Sequence, residues 1–221
     1  KVLVGQERAQ IHEIQIAARS DGKILALRDR CITDIGHGQQ PVFMGVMYPR
    51  AGCFMITSFY DIPQAEIEIV CVVTNKPCLT PSRAFGSFPV RLAMDGAINR
   101  LARELDLDPL EVVRKNLVTV FPYVTATGNF LDSGDFVGGF DKLVETIDVA
   151  SVRELQAKLR EQGRFIGLGF GGEEMPGRGP LAAAERPPPA HPRAEHRRLV
   201  HLDHRRMRPE AVRVQDVDVV R

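Results

Sequence analysis

Five apolar residues, Met94, Ala97, Ile98, Leu101 and Leu105, recur at i, i+3, i+4, i+7 and i+11, and this run restricts the fold more tightly than any other stretch of the 221-residue chain. The spacing is that of one face of an α-helix. A helix with a single apolar stripe has to bury it against another element, so the chain must build at least one further layer. The sequence supplies that layer upstream. From His12 to Ser20 the residues Ile14, Ile16 and Ala18 alternate with polar neighbours, Asp21-Gly22 offers a tight turn, and Ile24 to Leu27 begins a return strand. This reads as a β-hairpin. Ala65 to Thr74 reads as a further strand, with Glu66 and Glu68 turned away from Ile67, Ile69, Cys71 and Val73 and a more apolar, deeper second half.

Between Thr33 and Pro63, seven Gly and Pro residues fall among scattered apolar ones, which predicts loops and short irregular pieces rather than long elements. Downstream, Asp108-Pro109 supplies an N-cap and a first-turn proline for a helix over Leu110 to Leu117. Phe136, Phe140, Leu143, Val144 and Ile147 mark a third helix, and Ser151 with Glu154 makes a capping box for a fourth that Gly163 can end. Ile166 to Phe170 begins a strand. The expected fold is α+β: a mixed or antiparallel sheet with Gly/Pro-rich loops, then three or four helices, then an irregular tail.

That tail departs in composition. Beyond Gly171 there is no Phe, Tyr, Ile or Lys, while 7 of the 15 prolines, 4 of the 6 histidines and 10 arginines fall there. Such a segment lacks the bulk to offset the entropy of ordering. It reads either as a disordered basic tail or as residues translated out of the natural frame from Glu173 onward; Val212 to Val220 recovers a strand-like alternation. The His/Arg-rich run from His191 to His204 has spacings that fit no compact ligand set. At the other end, Lys1 rather than Met leads into a strand-like Val-Leu-Val, as expected of an incomplete N-terminus.

Charge narrows the partners. With 29 basic and 28 acidic residues the formal charge is +1, which gives no electrostatic case for nucleic acid or an anionic membrane. No apolar run approaches the ~20 residues of a bilayer span and no secretion signal opens the chain, so a cytoplasmic setting is expected. Cys31, Cys53, Cys71 and Cys78 form no C-x-x-C pair and are expected to be reduced, mostly packed thiols.

The stretch with most chemical content runs from Thr74 to Glu104. A buried strand ends, the loop Pro81-Ser82-Arg83-Ala84-Phe85-Gly86-Ser87 follows, and the amphipathic helix begins. Such a loop gathers a guanidinium, an aromatic ring and backbone N–H groups in one small volume, suited to an anionic cofactor and a flat substrate. Local sequence alone equally allows Arg83 as a surface charge and Phe85 as an anchor of the helix.

Thr74-Asn75-Lys76 followed by Pro81-Ser82-Arg83-Ala84-Phe85-Gly86 resembles the pattern T-N-(K/T)…(A/P)-(Y/F)-R-G-F-G of molybdenum hydroxylase large subunits, the xanthine dehydrogenase/aldehyde oxidase family. Arg100 to Leu117 is similar to that family's A-x-E-L-x-(L/M)-D-P-x-E-(V/I)-R-x-x-N segment, and Phe121-Pro122-Tyr123, Thr127-Gly128 and Asp132-Ser133-Gly134-Asp135 continue it in order. The resemblance covers roughly residues 1–172. It implies that 1–149 is part of a first molybdenum-cofactor-binding domain, that 150–172 is a connecting helix and the start of a second, and that 173–221 lies outside the pattern.

By resemblance the chain is an internal fragment of a subunit that oxidises an aldehyde or N-heterocycle with water-derived oxygen. The implied cofactor is molybdopterin with its molybdenum, and the implied partners are iron–sulfur and FAD-binding subunits carrying [2Fe-2S] and FAD, with a small aromatic or aldehyde substrate. Arg83 and Ala84 would meet the cofactor, and Phe85 would pack against the substrate; no catalytic residue or metal ligand is assigned. The sequence also departs from the pattern. Ser82 replaces an aromatic residue and Ala84 a usual glycine, and in the carbon monoxide dehydrogenase branch the position of Ala84 carries a copper-binding cysteine. The family's G-G-G-F-G-G motif and its catalytic glutamate do not occur. Gly169-Phe170-Gly171-Gly172 matches instead the entry to the second cofactor domain. The competing readings are a truncated non-catalytic scaffold or subunit-association fragment, and an unrelated α+β binding domain.

Overall fold

The computed structural model describes residues 9–37, 42–79, 84, 86–172 and 211–214. Its sheet forms around the hairpin. Strand β1 (Gln10–Arg19) pairs antiparallel with β2 (Ile24–Gly36), from Gln10 opposite Thr33 to Ala18 opposite Ile24. The turn closes through Arg19 N–H to Lys23 O, with Gly22 in the left-handed region at φ +84°. Strand β3 (Gln64–Val73) lies parallel to β2, and β6 (Ala211–Val214) lies antiparallel on the far side of β1, giving the order β3-β2-β1-β6. The sheet is mixed and the fold is α+β, in agreement with the sequence.

The long amphipathic helix, α2 (Ser87–Glu104), packs on the inner face of the hairpin. Met94, Ile98 and Leu101 meet Ile14, Ile16, Ile24 and Leu27, all at most 2% exposed. Each such side chain contributes about 1.5–3 kcal/mol by leaving water. After α2 come α3 (Pro109–Lys115), a short ribbon of β4 (Tyr123–Val124) and β5 (Phe130–Leu131), then α4 (Phe136–Ile147) and α5 (Val149–Glu161). The Asp108 carboxylate accepts from Leu110 N–H at 2.7 Å, which is the expected cap of α3.

Four expectations need correction. The stretch 33–63 is not irregular throughout: β2 runs on to Gly36, and α1 (Val42–Phe54) is a 13-residue helix that contains Pro49. Residues Tyr48, Ala51 and Cys53 are buried and no polar face punctuates the helix, so it lacks the periodicity that would reveal it. Strand β3 is not deeper in its second half; Val72 and Val73 are exposed because, among the described residues, β3 pairs only with β2 and forms a sheet edge. The cap of α5 is Asp148 rather than Ser151, whose N–H and hydroxyl both donate to the Asp148 carboxylate. Residues 166–170 form no strand, and the Ile166 carbonyl accepts instead from the Gln156 side chain.

Of the segment beyond residue 172 only Ala211–Val214 is described, as strand β6; the remaining expectations for the tail lie outside the described residues. Among the described residues no helix is long and apolar enough to cross a membrane.

Candidate functional site

The candidate site is assembled where β2 and β3, being parallel, end side by side. Asp34 ties the two exits together: its Oδ1 accepts from the Thr74 hydroxyl at 2.7 Å and from Gly36 N–H at 2.9 Å, and its Oδ2 pairs with Lys76 Nζ at 2.8 Å. Gly36 itself lies so close to Pro77 that a Cβ would fall 2.0 Å from the Pro77 carbonyl. The Thr74-Asn75-Lys76 motif therefore sets the direction in which the chain leaves the sheet. Leu79 N–H then bonds to the Ile35 carbonyl.

Of the three site residues expected from sequence, Arg83 and Phe85 lie outside the described residues. Ala84 is described. It occupies the left-handed region at φ 75°, followed by Gly86 at φ 88°, and Ser87 N–H closes the turn onto the Ala84 carbonyl at 2.9 Å. Gly86 is the N-cap of α2, and among the described residues no side chain caps that terminus. The positive end of an 18-residue helix dipole thus faces the loop, a disposition that favours an anion.

This turn is seated on α1 by shape. A Cβ on Gly52 would lie 2.4 Å from the Gly86 carbonyl oxygen, and a Cβ on Gly86 would lie 2.9 Å from that of Tyr48. Two glycines facing each other let α1 approach the start of α2 at backbone distance.

One turn further along α2 sits a polar group that the sequence reading did not single out. Arg91 is 6% exposed and its guanidinium stacks over Phe59, 5.4 Å from the ring centre. The Tyr60 hydroxyl donates to Asp95 Oδ1 at 3.4 Å. Burial pushes the Asp95 carboxyl up to about 6, with Arg91 and the Tyr60 hydroxyl pulling the other way. Burial, with the Asp95 charge beside it, holds the Tyr60 phenol above its ordinary range. The returning segment passes over this group: Gly172 fits against the Phe59 ring, where a Cβ would fall 2.5 Å from it, and Phe170 stacks edge-on against Phe140. The signal was available, since Arg91 precedes Met94 by three and Ile98 by seven and so interrupts the apolar stripe with a charge.

The downstream motif residues point inward instead. Asn116 is fully buried; its Oδ1 accepts from Ile24 N–H and its amide donates to the Gly22 and Val112 carbonyls. Tyr123 donates to Asp61, and Thr127 and Asn129 both donate at 2.7 Å to the Phe54 carbonyl at the end of α1. Among the described residues no group of three or more His, Cys, Asp and Glu side chains is placed to hold a metal ion.

A family model described as a molybdopterin cofactor-binding domain matches residues 2–117, which spans the hairpin, the loop and α2 to α3. The chain belongs to this molybdopterin-binding family. Among its relatives are the nicotine 6-hydroxylase large subunit of Paenarthrobacter nicotinovorans, 32% identical over 73% of this chain and 20% of its own length, and a carbon monoxide dehydrogenase large chain of Hydrogenophaga pseudoflava, 35% identical over 66% of this chain and 19% of its own. The crystal structure of quinoline 2-oxidoreductase from Pseudomonas putida 86 superposes with a TM-score of 0.63 and 28% identity, over 72% of this chain and 20% of that one. The chain therefore spans about a fifth of the length of the relatives that it matches.

Proposed function

We propose that this chain contributes one wall of a molybdenum-cofactor site in a hydroxylase that oxidises an N-heterocycle or an aldehyde with water-derived oxygen. The observation that carries this reading is the left-handed turn from Ala84 to Gly86 at the uncapped start of α2, inside the segment that matches the molybdopterin-binding family. The residues present fit such a group. Backbone N–H groups and the positive end of a helix suit an anionic, oxygen-rich pterin cofactor, and Gly52 and Gly86 hold the turn at backbone distance without a side chain in the way. When bound, the cofactor supplies the redox chemistry of hydroxylation.

In this reading Arg83 donates charge-assisted hydrogen bonds to the cofactor, the Ala84 backbone adds to them, and the Phe85 ring orients a flat substrate by stacking. Ala84 offers no thiolate for copper, which favours a heterocycle or aldehyde over carbon monoxide. Residues 1–149 belong to the first cofactor domain and 150–172 lead toward a second, and iron–sulfur and FAD-carrying subunits in the cytoplasm take the electrons onward. The catalytic base is not among these 221 residues' matched motifs, so a non-catalytic association role is the competing reading. Molybdenum content separates the two. Produced in a cofactor-competent host, the chain should carry molybdenum and pterin, and Arg83→Ala should lower that content at least about tenfold without changing the unfolding midpoint. A chain that folds but carries none would overturn the cofactor site and leave the association role.

A further inference from the structure

The sheet has an open side. Among the described residues β3 pairs only with β2, and none of its ten residues is buried, whereas every second residue of β1 is. Val72 and Val73 are 40% and 66% exposed. Parallel pairing with β2, from Ala26 opposite Gln64 to Gly36 opposite Val73, uses one side of the β3 backbone. On the other side, alternate residues turn their N–H and C=O groups outward, toward the place of a further strand.

Edge strands are usually kept from pairing by a proline, a lysine, a bulge or sheer shortness. Strand β3 lacks these over nearly all its length. From Ala65 to Val73 there is no Pro, Gly or Lys, and the one register shift, between Asp34 and Gly36 on β2, comes at its last residue. Its two charges are already answered within the chain: Glu66 Oε1 lies 3.4 Å from Arg28 Nε, and Glu68 Oε2 lies 3.3 Å from Arg30 Nε. The edge also matches itself. Ile69-Val70-Cys71-Val72-Val73 carries no charge and is centred on Cys71. Laid antiparallel across a two-fold axis at Cys71, Val70 of one copy faces Val72 of the other and Ile69 faces Val73. The flanks agree, since Glu68 falls opposite Thr74 and Glu66 opposite Lys76, so that no like charges are directly opposed. Opposed positions are all odd or all even, and the face that carries Ile67 and Ile69 against the core stays continuous across the axis.

We propose that β3 is a self-association edge, through which two copies of this chain pair antiparallel over Ile69–Val73 about a two-fold axis at Cys71 and make one continuous sheet. The occupant has to be an extended strand with an uncharged centre and no glutamate where Glu66 and Glu68 fall. The chain's own β3 meets that requirement at every opposed position. Because the two-fold axis consumes both edges, association through β3 stops at two copies. The pairing is independent of what the turn at Ala84 binds, so its failure leaves the cofactor reading untouched.

The test is sedimentation velocity of the full chain, kept reduced, over a wide range of concentration. A monomer–dimer equilibrium is expected, with no larger species. Cys71→Lys and Cys71→Glu each set like charges directly opposite one another and should weaken association at least about tenfold, while an equimolar mixture of the two variants should recover it. A chain that stays monomeric at the highest concentration, a dimer that Cys71→Lys leaves unchanged, or open-ended growth would overturn the proposal. If the charged variants do not fold, trapping decides the matter. Directly opposed Cα atoms lie about 4.5–5.5 Å apart, within reach of a disulfide. Copper–phenanthroline oxidation of the native chain should therefore join two copies as a Cys71–Cys71 peptide, in proportion to the dimer that sedimentation shows. No such peptide, or a yield that does not follow the dimer on dilution, would overturn the pairing.

Discussion

The segment from Asp108 to Asp135 and the turn from Ala84 to Gly86 both carry family motifs, yet they are built in opposite ways. In the first, the motif side chains are consumed by the fold: Asn116 clasps the β1–β2 turn, Tyr123 holds Asp61, and Thr127 and Asn129 close the end of α1. In the second, position is set by shape, through Gly52, Gly86 and left-handed backbone, with no side chain among the described residues capping α2. A motif whose polar groups already have internal partners is a staple. A motif held by backbone fit keeps its donors for something else.

The comparison breaks most visibly at Asn116. Asn116→Ala should leave the buried Ile24 N–H and the Gly22 and Val112 carbonyls without the side-chain bonds they now have, at about 1–3 kcal/mol each, and about 3–5 kcal/mol in total. Urea unfolding of the full chain measures this. A loss below about 1 kcal/mol would mean that water replaces the amide and that the segment is no staple.

A second effect comes from the core of the hairpin, where His12 Nδ1 lies 2.9 Å from Asp29 Oδ2 and His12 Nε2 lies 3.9 Å from Cys31 Sγ. The His12 value is raised from 6.5 to about 9, so its stabilisation is fully present below pH 6.5 and is lost as pH rises through 9. Cys31 is lowered from 9.0, so its stabilisation is present above pH 9 and is lost as pH falls through its depressed value. The two slopes oppose one another and wild-type stability should be nearly flat across that window. Cys31→Ala removes one arm together with the part of the His12 rise that Cys31 supplies, leaving Asp29 to raise the ring, so stability should then fall as pH rises above 6.5, over a narrower window than the wild-type shift of His12. Parallel profiles for the two chains would show that His12 is not charged in the fold.

The third test addresses the shape-held region directly. Gly52→Ala places a methyl group where 2.4 Å separates it from the Gly86 oxygen, so α1 and α2 must part, at about 1–3 kcal/mol. Molybdenum per folded chain should fall as well. Retained loading with lost stability would make the Gly52–Gly86 contact a packing feature alone.

What was legible in the sequence divides along the same line. Elements with a period or a cap were visible: Ile14, Ile16 and Ala18 at spacing two, Met94 to Leu105 on one helical face, and Asp108-Pro109 at a helix start. Helix α1 was hidden because Gly45, Pro49 and Gly52 read as breakers, and because a helix enclosed on several sides needs no polar face. The buried group of His12, Asp29 and Cys31 was hidden for a different reason: His12 comes from β1 and the other two from β2, and only the register of the hairpin brings them together. The Arg91–Asp95 pair could have been found as a charge within the apolar stripe.

The smallest expected effect is also the finest division between the two regions. Ala84 holds φ 75°, a conformation that costs an L-residue with a Cβ roughly 1 kcal/mol and glycine almost nothing. Ala84→Gly should therefore raise stability, by less than about 1 kcal/mol, since glycine also loosens the unfolded chain. If the turn is held by the seat that α1 provides, relieving this strain leaves the backbone where it is, and molybdenum content stays unchanged. If the methyl group instead wedges the loop in place, the same substitution lowers molybdenum content while stability rises. The two readouts then separate, because strain that matters only to the fold moves stability alone, whereas a methyl group that also orders the loop moves loading in the direction opposite to stability.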